Sequence, residues 1–191
     1  LELPDDYSIK VLSKGDTVKD FDCFNPSSYI EIEKRRLKII RRLDQDMTLF
    51  LARGDALKEQ ESSLNTTSLL LYNDKAVGYV SLCADSLQLK SKFSSQITPA
   101  LKVARLAIDK NFQNKGLAKL LINYAVYKAL IMRIEFCGVK FLTLDCFRHR
   151  LSYYTDNIGF KKNDYQGNQG DMDLPFSLSL DIDEYIESSP M

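Results

Sequence analysis

The chain has 191 residues, enough to bury one sizeable core, and its 45% hydrophobic and 27% charged residues are those of an ordinary globular protein. Its 26 basic and 26 acidic side chains cancel, so no global field draws nucleic acid or an acidic membrane, and a tRNA partner would need a local patch. Cys23, Cys83, Cys137 and Cys146 lack CxxC spacing, and His149 is the one histidine; this argues against structural zinc, and no metal is expected. No signal-peptide pattern opens the chain, and Lys119, Asn123, Lys128 and Arg133 interrupt its best apolar stretch. The expectation is a cytoplasmic protein with four reduced thiols and no membrane segment.

In chain order, YSIKVL (Tyr7 to Leu12) alternates as a short strand and runs into the turn-rich SKGD. After FDCFNPSS, the segment YIEIEKRRLKIIRRL reads as a helix with Ile32, Leu37, Ile39, Ile40 and Leu43 broadly on one side. Glu31 to Arg42 holds six positive and two negative charges, net +4. That charge reads first as a solvated face, with a contact surface for RNA or an acidic partner as the alternative. LDQDMTLFLARGDALKEQESS reads as a second helical pattern, with Asp44 and Asp46 near its start and Gly54 arguing against one continuous helix. SLLLY and KAVGYVSLCA are strands joined by a hairpin at Asn73-Asp74. SLQLKSKFSSQITPA is polar and serine-rich and reads as a loop with some extended structure.

LKVARLAID is then a strand, GLAKLLINYAVYKALIMRIEF a helix, GVKFLTLDC a strand and FRHRLSYYTDN a short helix ending at Ile158-Gly159. FKKND and DLPFSLSLDI close the chain as strands, with residues 171–191 read as last strand and acidic tail. The long helix is apolar nearly all round, which reads as core, with a second subunit in a homodimer as the alternative. The order implies an α/β fold, a mixed sheet with helices on both faces, in one domain spanning 1–191 with a helical insertion at 24–43.

QNKGLA, Gln113 to Ala118, joins a strand to a helix N-terminus. Such a loop presents backbone N–H groups without helical partners, the helix dipole adds positive potential, and Gly116 lets a phosphate come close. It lacks both GxGxxG and GK[ST]. Taken with VARLAID before it, GVKFLTLD after it and YYTDNIGFKK beyond, the pattern from Leu101 to Lys162 resembles the GNAT superfamily of acyl-CoA-dependent N-acetyltransferases. FDC, LDQDMTLFLARGDALKEQ, VGYVSL and ARLAID further resemble the branch that includes toxins of toxin-antitoxin pairs, which acetylate aminoacyl-tRNA. In that branch the FL-containing helix follows FDC quickly, whereas here Asn25 to Arg42 intervenes.

The resemblance implies a GNAT-type, mostly antiparallel twisted sheet and acetyl-CoA as cosubstrate. It implies that Gln113, Asn114, Lys115, Gly116, Leu117 and Ala118 hold the pyrophosphate, and that Leu106, Ala107 and Ile108 run beside pantetheine, one backbone amide facing the thioester oxygen. Tyr154, with Tyr153 close behind, would protonate the departing thiolate. Relatives place this tyrosine four residues before the glycine of GF, where this chain has Thr155, so the helix end must carry one extra residue for Tyr154 to serve. The alternative is two tyrosines that only pack the helix on the sheet.

The expected reaction is acetyl transfer to a primary amine, on a small molecule or a macromolecule, without a covalent enzyme intermediate. The rival readings are a toxin-like enzyme acting on aminoacyl-tRNA and a non-catalytic acyl-CoA-binding module. No general base stands out: Asp145 reads as a helix cap and His149 as exposed. Cys146 reads as a buried thiol, with an acceptor of an acyl group as the alternative.

Overall fold

The structure is a computed structural model and describes residues 3–16, 18, 20–29, 32, 34–90, 95–163 and 174–188. Seven strands are hydrogen-bonded in the order β1-β2-β3-β4-β5-β7-β6. They are β1 (Tyr7–Val11), β2 (Thr66–Tyr72), β3 (Lys75–Lys90), β4 (Ser95–Ile108), β5 (Phe141–Cys146), β6 (Lys161–Lys162) and β7 (Phe176–Asp181). The α-helices among the described residues are α1 (Lys34–Ala52), α2 (Asp55–Glu61), α3 (Leu117–Glu135), α4 (Arg148–Ser152) and α5 (Ile182–Ser188). The result is a mixed α/β fold with an open, mostly antiparallel sheet, as expected. The chain divides into two compact units, residues 2–81 with 105–121 and residues 82–104 with 122–191, and the divisions fall inside β3, β4 and α3.

In the first unit β1 pairs antiparallel with β2, Tyr7 opposite Tyr72 and Val11 opposite Ser68. Asn73 and Asp74 both have positive φ, 45° and 62°, the twist a two-residue hairpin requires, so the hairpin lies where the sequence places it. Phe21, Cys23, Phe50, Leu51, Leu69, Leu71, Tyr79 and Ala107 form one buried cluster. Tyr79 carries its hydroxyl into that cluster without loss because it donates to the Met47 carbonyl at 2.8 Å.

The two helical patterns merge differently from expectation. Pro26–Tyr29 is a 3-10 turn, and α1 runs unbroken from Lys34 through Leu43 to Ala52. The first residues expected in this helix, Ile30, Glu31 and Glu33, lie outside the described residues. Asp44 therefore sits inside α1 and is buried, where it accepts a hydrogen bond from the Tyr29 hydroxyl at 3.1 Å. The real break is at Gly54, whose φ of 74° is left-handed and ends the helical path before α2.

In the second unit β4 runs parallel to β5, Ala100 opposite Phe141 and Val103 opposite Leu144. β7 is antiparallel to both β5 and β6. The segment read as a loop is strand on either side of residues 91–94, which lie outside the described residues: β3 continues to Lys90 and β4 begins at Ser95. Ser86, Gln88 and Leu89 are exposed there, and backbone pairing does not require apolar side chains where water meets the strand.

The acidic tail is likewise corrected, since residues 182–188 fold as α5. The Asp181 carboxylate accepts from the Asp183 N–H at 3.0 Å, Asp183 and Glu184 sit where the dipole favours them, and Ile182 and Tyr185 are buried. In α3, Ile122, Ala125, Val126 and Ala129 have no exposed surface, which bears out the core reading for that face. Ile134, by contrast, is 78% exposed, so the helix is apolar all round without being covered all round.

Candidate active site

In the first unit β4 ends at Ile108, Lys110–Phe112 makes one 3-10 turn, and α3 starts at Leu117. Ala107 and Ile108 are buried and Leu106 is half-buried. The strand end packs closely: a Cβ on Gly78 would come 2.7 Å from Ile108 Cδ1, the end of a side chain that can turn aside, and 3.2 Å from the Ala107 carbonyl oxygen, so a larger residue would require a shift of a few tenths of an ångström there.

The loop between them turns on two left-handed residues, Asn114 at φ 61° and Gly116 at φ 79°. A Cβ on Gly116 would meet no protein atom within 4 Å, so conformation, not crowding by the chain itself, selects glycine, and the space beside it is open. Asn114, Lys115 and Gly116 are exposed. Leu117 is buried and anchors the first turn of α3, Ala118 is half-buried, and each could offer a ligand only its backbone N–H. The first helical hydrogen bond runs from the Leu120 N–H to the Gly116 carbonyl at 3.1 Å. Among the described residues, the N–H groups of Gly116, Leu117, Ala118 and Lys119 have no acceptor. These donors, at the positive end of a 19-residue helix and facing open space, fit a diphosphate.

The loop is mounted on FDC. Phe21 packs edge-on against Tyr79, with ring centres 5.7 Å apart. Cys23 Sγ donates to the Asp44 carbonyl at 3.0 Å, fixing the motif on α1. The Asp22 carboxylate takes hydrogen bonds from the Phe24 N–H at 3.0 Å and Lys110 Nζ at 2.8 Å. Burial is the largest influence on Asp22 and opposes ionisation, yet these two donors outweigh it and hold the carboxyl below its ordinary value. Asp109, 3% exposed, accepts from the N–H groups of Asn111 at 3.0 Å and Asp22 at 3.1 Å.

Gln113 completes this mount, its Nε2 donating to the Cys23 carbonyl at 2.8 Å and the Ile108 carbonyl at 3.1 Å. Its side chain thus holds the loop and is not directed at a ligand. Sequence reasoning passed over Asp109 and the linking role of FDC; the adjacency of Asp109 to the strand end was the available signal. Gln113→Glu replaces the donor with an acceptor facing two carbonyls. The expected result is a loss of about 1–3 kcal/mol of stability, measured by urea denaturation, together with weaker acetyl-CoA binding.

The second unit carries Tyr153 and Tyr154. After α4 the chain widens into a π turn, Tyr153–Ile158, and closes at Gly159 with φ 101°. The Gly159 N–H donates to the Tyr154 carbonyl at 3.1 Å, a span of five residues where an α-helix spans four, and the Phe160 N–H donates to the same carbonyl at 3.0 Å. The extra residue required between Tyr154 and Gly159 is therefore present as a π turn. The Tyr154 ring meets Phe160 edge-on at 5.8 Å and Tyr153 at 5.3 Å. Burial pushes the Tyr154 phenol above the ordinary tyrosine value, against a smaller opposing pull from Arg150, so it carries its proton at neutral pH.

Asp145 and His149, weighed as bases, and Cys146, weighed as an acyl acceptor, are otherwise engaged. Asp145 does not cap α4, whose N-cap is Phe147; its carboxylate pairs with Lys102 Nζ on β4 at 2.6 Å. Burial lifts the Cys146 thiol to about 11, which makes it inert at neutral pH. His149 is half-buried, stacked on Phe147 at 6.4 Å, with burial and then Arg150 lowering its pKa to about 4. It is neutral at pH 7 in the fold and charges more readily when unfolded. Its contribution to stability is thus complete above about pH 6.5 and is lost as pH falls toward 4. As the one histidine of the chain, it should give a single imidazole titration by proton NMR with a midpoint near 4; a midpoint at 6.5 would contradict its burial.

No group of three or more His, Cys, Asp or Glu among the described residues could hold a metal, and no described helix is long and apolar enough to cross a membrane. The profile of the acetyltransferase (GNAT) family matches residues 28–160, and the chain belongs to that family. It is an acetyl-CoA-dependent acetyltransferase. Among curated proteins no match is found.

Among solved structures it superposes on a tyrosine-to-phenylalanine mutant of the AtaT toxin bound to the C-terminus of the antitoxin AtaR and acetyl-CoA. The TM-score is 0.69 at 16% identity, covering 98% of this chain and 100% of that one. AtaT complexed with acetyl-methionyl-tRNAfMet gives TM-score 0.69 at 19% identity, covering 96% and 98%. A tyrosine-to-phenylalanine mutant of KacT gives 0.66 at 16% identity, covering 96% and 99%. At these identities the likeness is one of fold.

Proposed function

We propose that the protein transfers the acetyl group of acetyl-CoA directly to a primary amine, with Tyr154 as the acid that returns a proton to the leaving thiolate. The observation that carries this reading is the row of unaccepted N–H groups from Gly116 to Lys119 beside open space. In the proposed roles these amides and Asn114 to Ala118 hold the pyrophosphate, and Leu106 to Ile108 align the pantetheine arm. An N–H near Ala107 or Ile108 polarises the thioester carbonyl. The neutral amine forms the new C–N bond and the C–S bond breaks. The thiolate takes the Tyr154 phenolic proton, and the proton released by the ammonium leaves through water. Acetyl-CoA supplies the activated acyl group, and no side chain is acylated.

One observation favours aminoacyl-tRNA as the acceptor. Lys34, Arg35, Arg36, Lys38, Arg41 and Arg42 are all exposed on α1, a local basic face on a chain of zero net charge. The end-to-end likeness to AtaT, solved with acetyl-methionyl-tRNA, supports the same reading. Offering acetyl-CoA with methionyl-tRNA, spermidine or a peptide N-terminus, and following free thiol, tests both readings. Turnover with methionyl-tRNA that falls steeply with salt supports the tRNA reading. Turnover confined to spermidine or peptide removes it and keeps the amine acetyltransferase. No thiol release with any acceptor counts against transfer to an amine.

A further inference from the structure

We propose that Asp109 is a positioning residue for the cosubstrate. Its carboxylate clasps the turn after β4 to Asp22 and so sets the spacing between the strand that aligns the pantetheine arm and the loop that holds the diphosphate. This rests on the roles proposed above for Leu106 to Ile108 and for the loop.

A ligand with two anchors gains from the second only when the protein holds both at the matching distance. Residues 109–113 are the chain between the two anchors, and each of them is tied. The N–H groups of Asp109 and Lys110 donate to the Val77 and Asp22 carbonyls at 2.8 Å, and that of Phe112 to the Asp109 carbonyl at 2.8 Å. The Asn111 N–H donates to the Asp109 carboxylate at 3.0 Å, and the Gln113 side chain is taken up by the Cys23 and Ile108 carbonyls. Every amide from Asp109 to Phe112 is thus satisfied within the protein, whereas those from Gly116 to Lys119 have no acceptor among the described residues. The turn is a spacer, and the donors left for a ligand begin only after it.

Asp109 is the centre of the spacer. Its Oδ1 takes both Asn111 donors, the N–H and Nδ2, each at 3.0 Å, and its Oδ2 takes the Asp22 N–H at 3.1 Å. With the Lys110 N–H on the Asp22 carbonyl, this makes a reciprocal pair between two segments that share no strand pairing. The far side of the clasp is fixed without Asp109, because the Cys23 N–H donates to Thr48 Oγ1 at 3.2 Å and Cys23 Sγ to the Asp44 carbonyl, both on α1. The loop end is fixed without it as well, because Leu117 is buried at the first turn of α3. Loss of the carboxylate would leave the Asp22 and Asn111 N–H groups without their acceptor and loosen the spacer between two fixed ends.

The test is calorimetry with coenzyme A and with 3′-phosphoadenosine 5′-diphosphate, the same nucleotide without the pantetheine arm. Their affinity ratio reads the arm and needs no acceptor amine. One or two backbone hydrogen bonds from the strand should make coenzyme A bind the native protein about tenfold tighter than the nucleotide. Asp109→Ala should reduce that ratio to about twofold or less while nucleotide affinity stays within about twofold of native, since the loop donors remain in place.

Asp109→Asn keeps the shape and one accepting oxygen, and should lower the ratio by a smaller factor. It decides alone if the alanine variant does not fold. A carboxylate that only supports the fold would lower both affinities together or neither, and either result would overturn the proposal. Equal native affinities would remove the reading of Leu106 to Ile108, and the proposal with it. Failure of the native protein to bind either compound would remove the phosphate loop. The three failures are therefore distinct.

Discussion

Gly116→Asp is expected to weaken acetyl-CoA binding at least about 100-fold by calorimetry, in a protein that keeps its fold. Two effects contribute. Gly116 has φ 79°, where an aspartate carries strain on the order of 1 kcal/mol, and its side chain would project into space no protein atom occupies. The carboxylate would then face the diphosphate, and like charges held together cost several kcal/mol, with each 1.4 kcal/mol a factor of ten. Gly116→Asn separates the two effects, since asparagine has nearly the same shape and the same left-handed φ to adopt but adds no charge. It should lose much less affinity than Gly116→Asp. Equal losses would mean that loop shape, and not charge at a phosphate, sets the affinity.

Tyr154→Phe should lower turnover about 100- to 1000-fold with acetyl-CoA affinity changed less than about twofold. Removal of the hydroxyl leaves the ring packed on Phe160 and Tyr153, so the fold should survive. The pH profile supplies a second readout. The acid works only while protonated, and burial raises its pKa above the ordinary value of about 10, so the native high-pH decline should begin above that value. The variant should lack this decline. Tyr153→Phe should leave turnover within about threefold. A Tyr154→Phe enzyme with native turnover would assign the proton to another donor.

Where side-chain periodicity meets a plain physical requirement, the sequence is explicit. The Asn73-Asp74 hairpin, the left-handed break at Gly54 and the strand-to-helix joint at Gly116 all stand where their residues place them. The polar strand ends at Ser86 to Lys90 and Ser95 to Thr98 were hidden because pairing there is a property of the backbone. The α5 helix was hidden because an acidic run reads as solvated until Asp181 is seen to cap it.

For the candidate site, the loop was visible as a string of small and polar residues, while its support was not. Gln113 reaches back to Cys23, 90 positions away in sequence, and Asp109 reaches Asp22, 87 away, contacts that no local pattern encodes. The count between Tyr154 and Gly159 was legible as a departure from four, and the wide turn that accommodates it becomes visible only in the backbone hydrogen bonds.

The most direct measurement is a reaction with acetyl-CoA labelled in its acetyl group, using whole-cell extract divided into RNA, protein and small-molecule fractions as acceptors. The account requires label in at least one fraction, held as an acetyl amide that survives hydroxylamine (recovered as the acetyl-amino-acid hydroxamate where the acceptor is aminoacyl-tRNA, whose ester hydroxylamine cleaves), with one free thiol released per acetyl group and both lost in Tyr154→Phe. Thiol release that yields only free acetate, or labelled product made equally well by Tyr154→Phe, would contradict it.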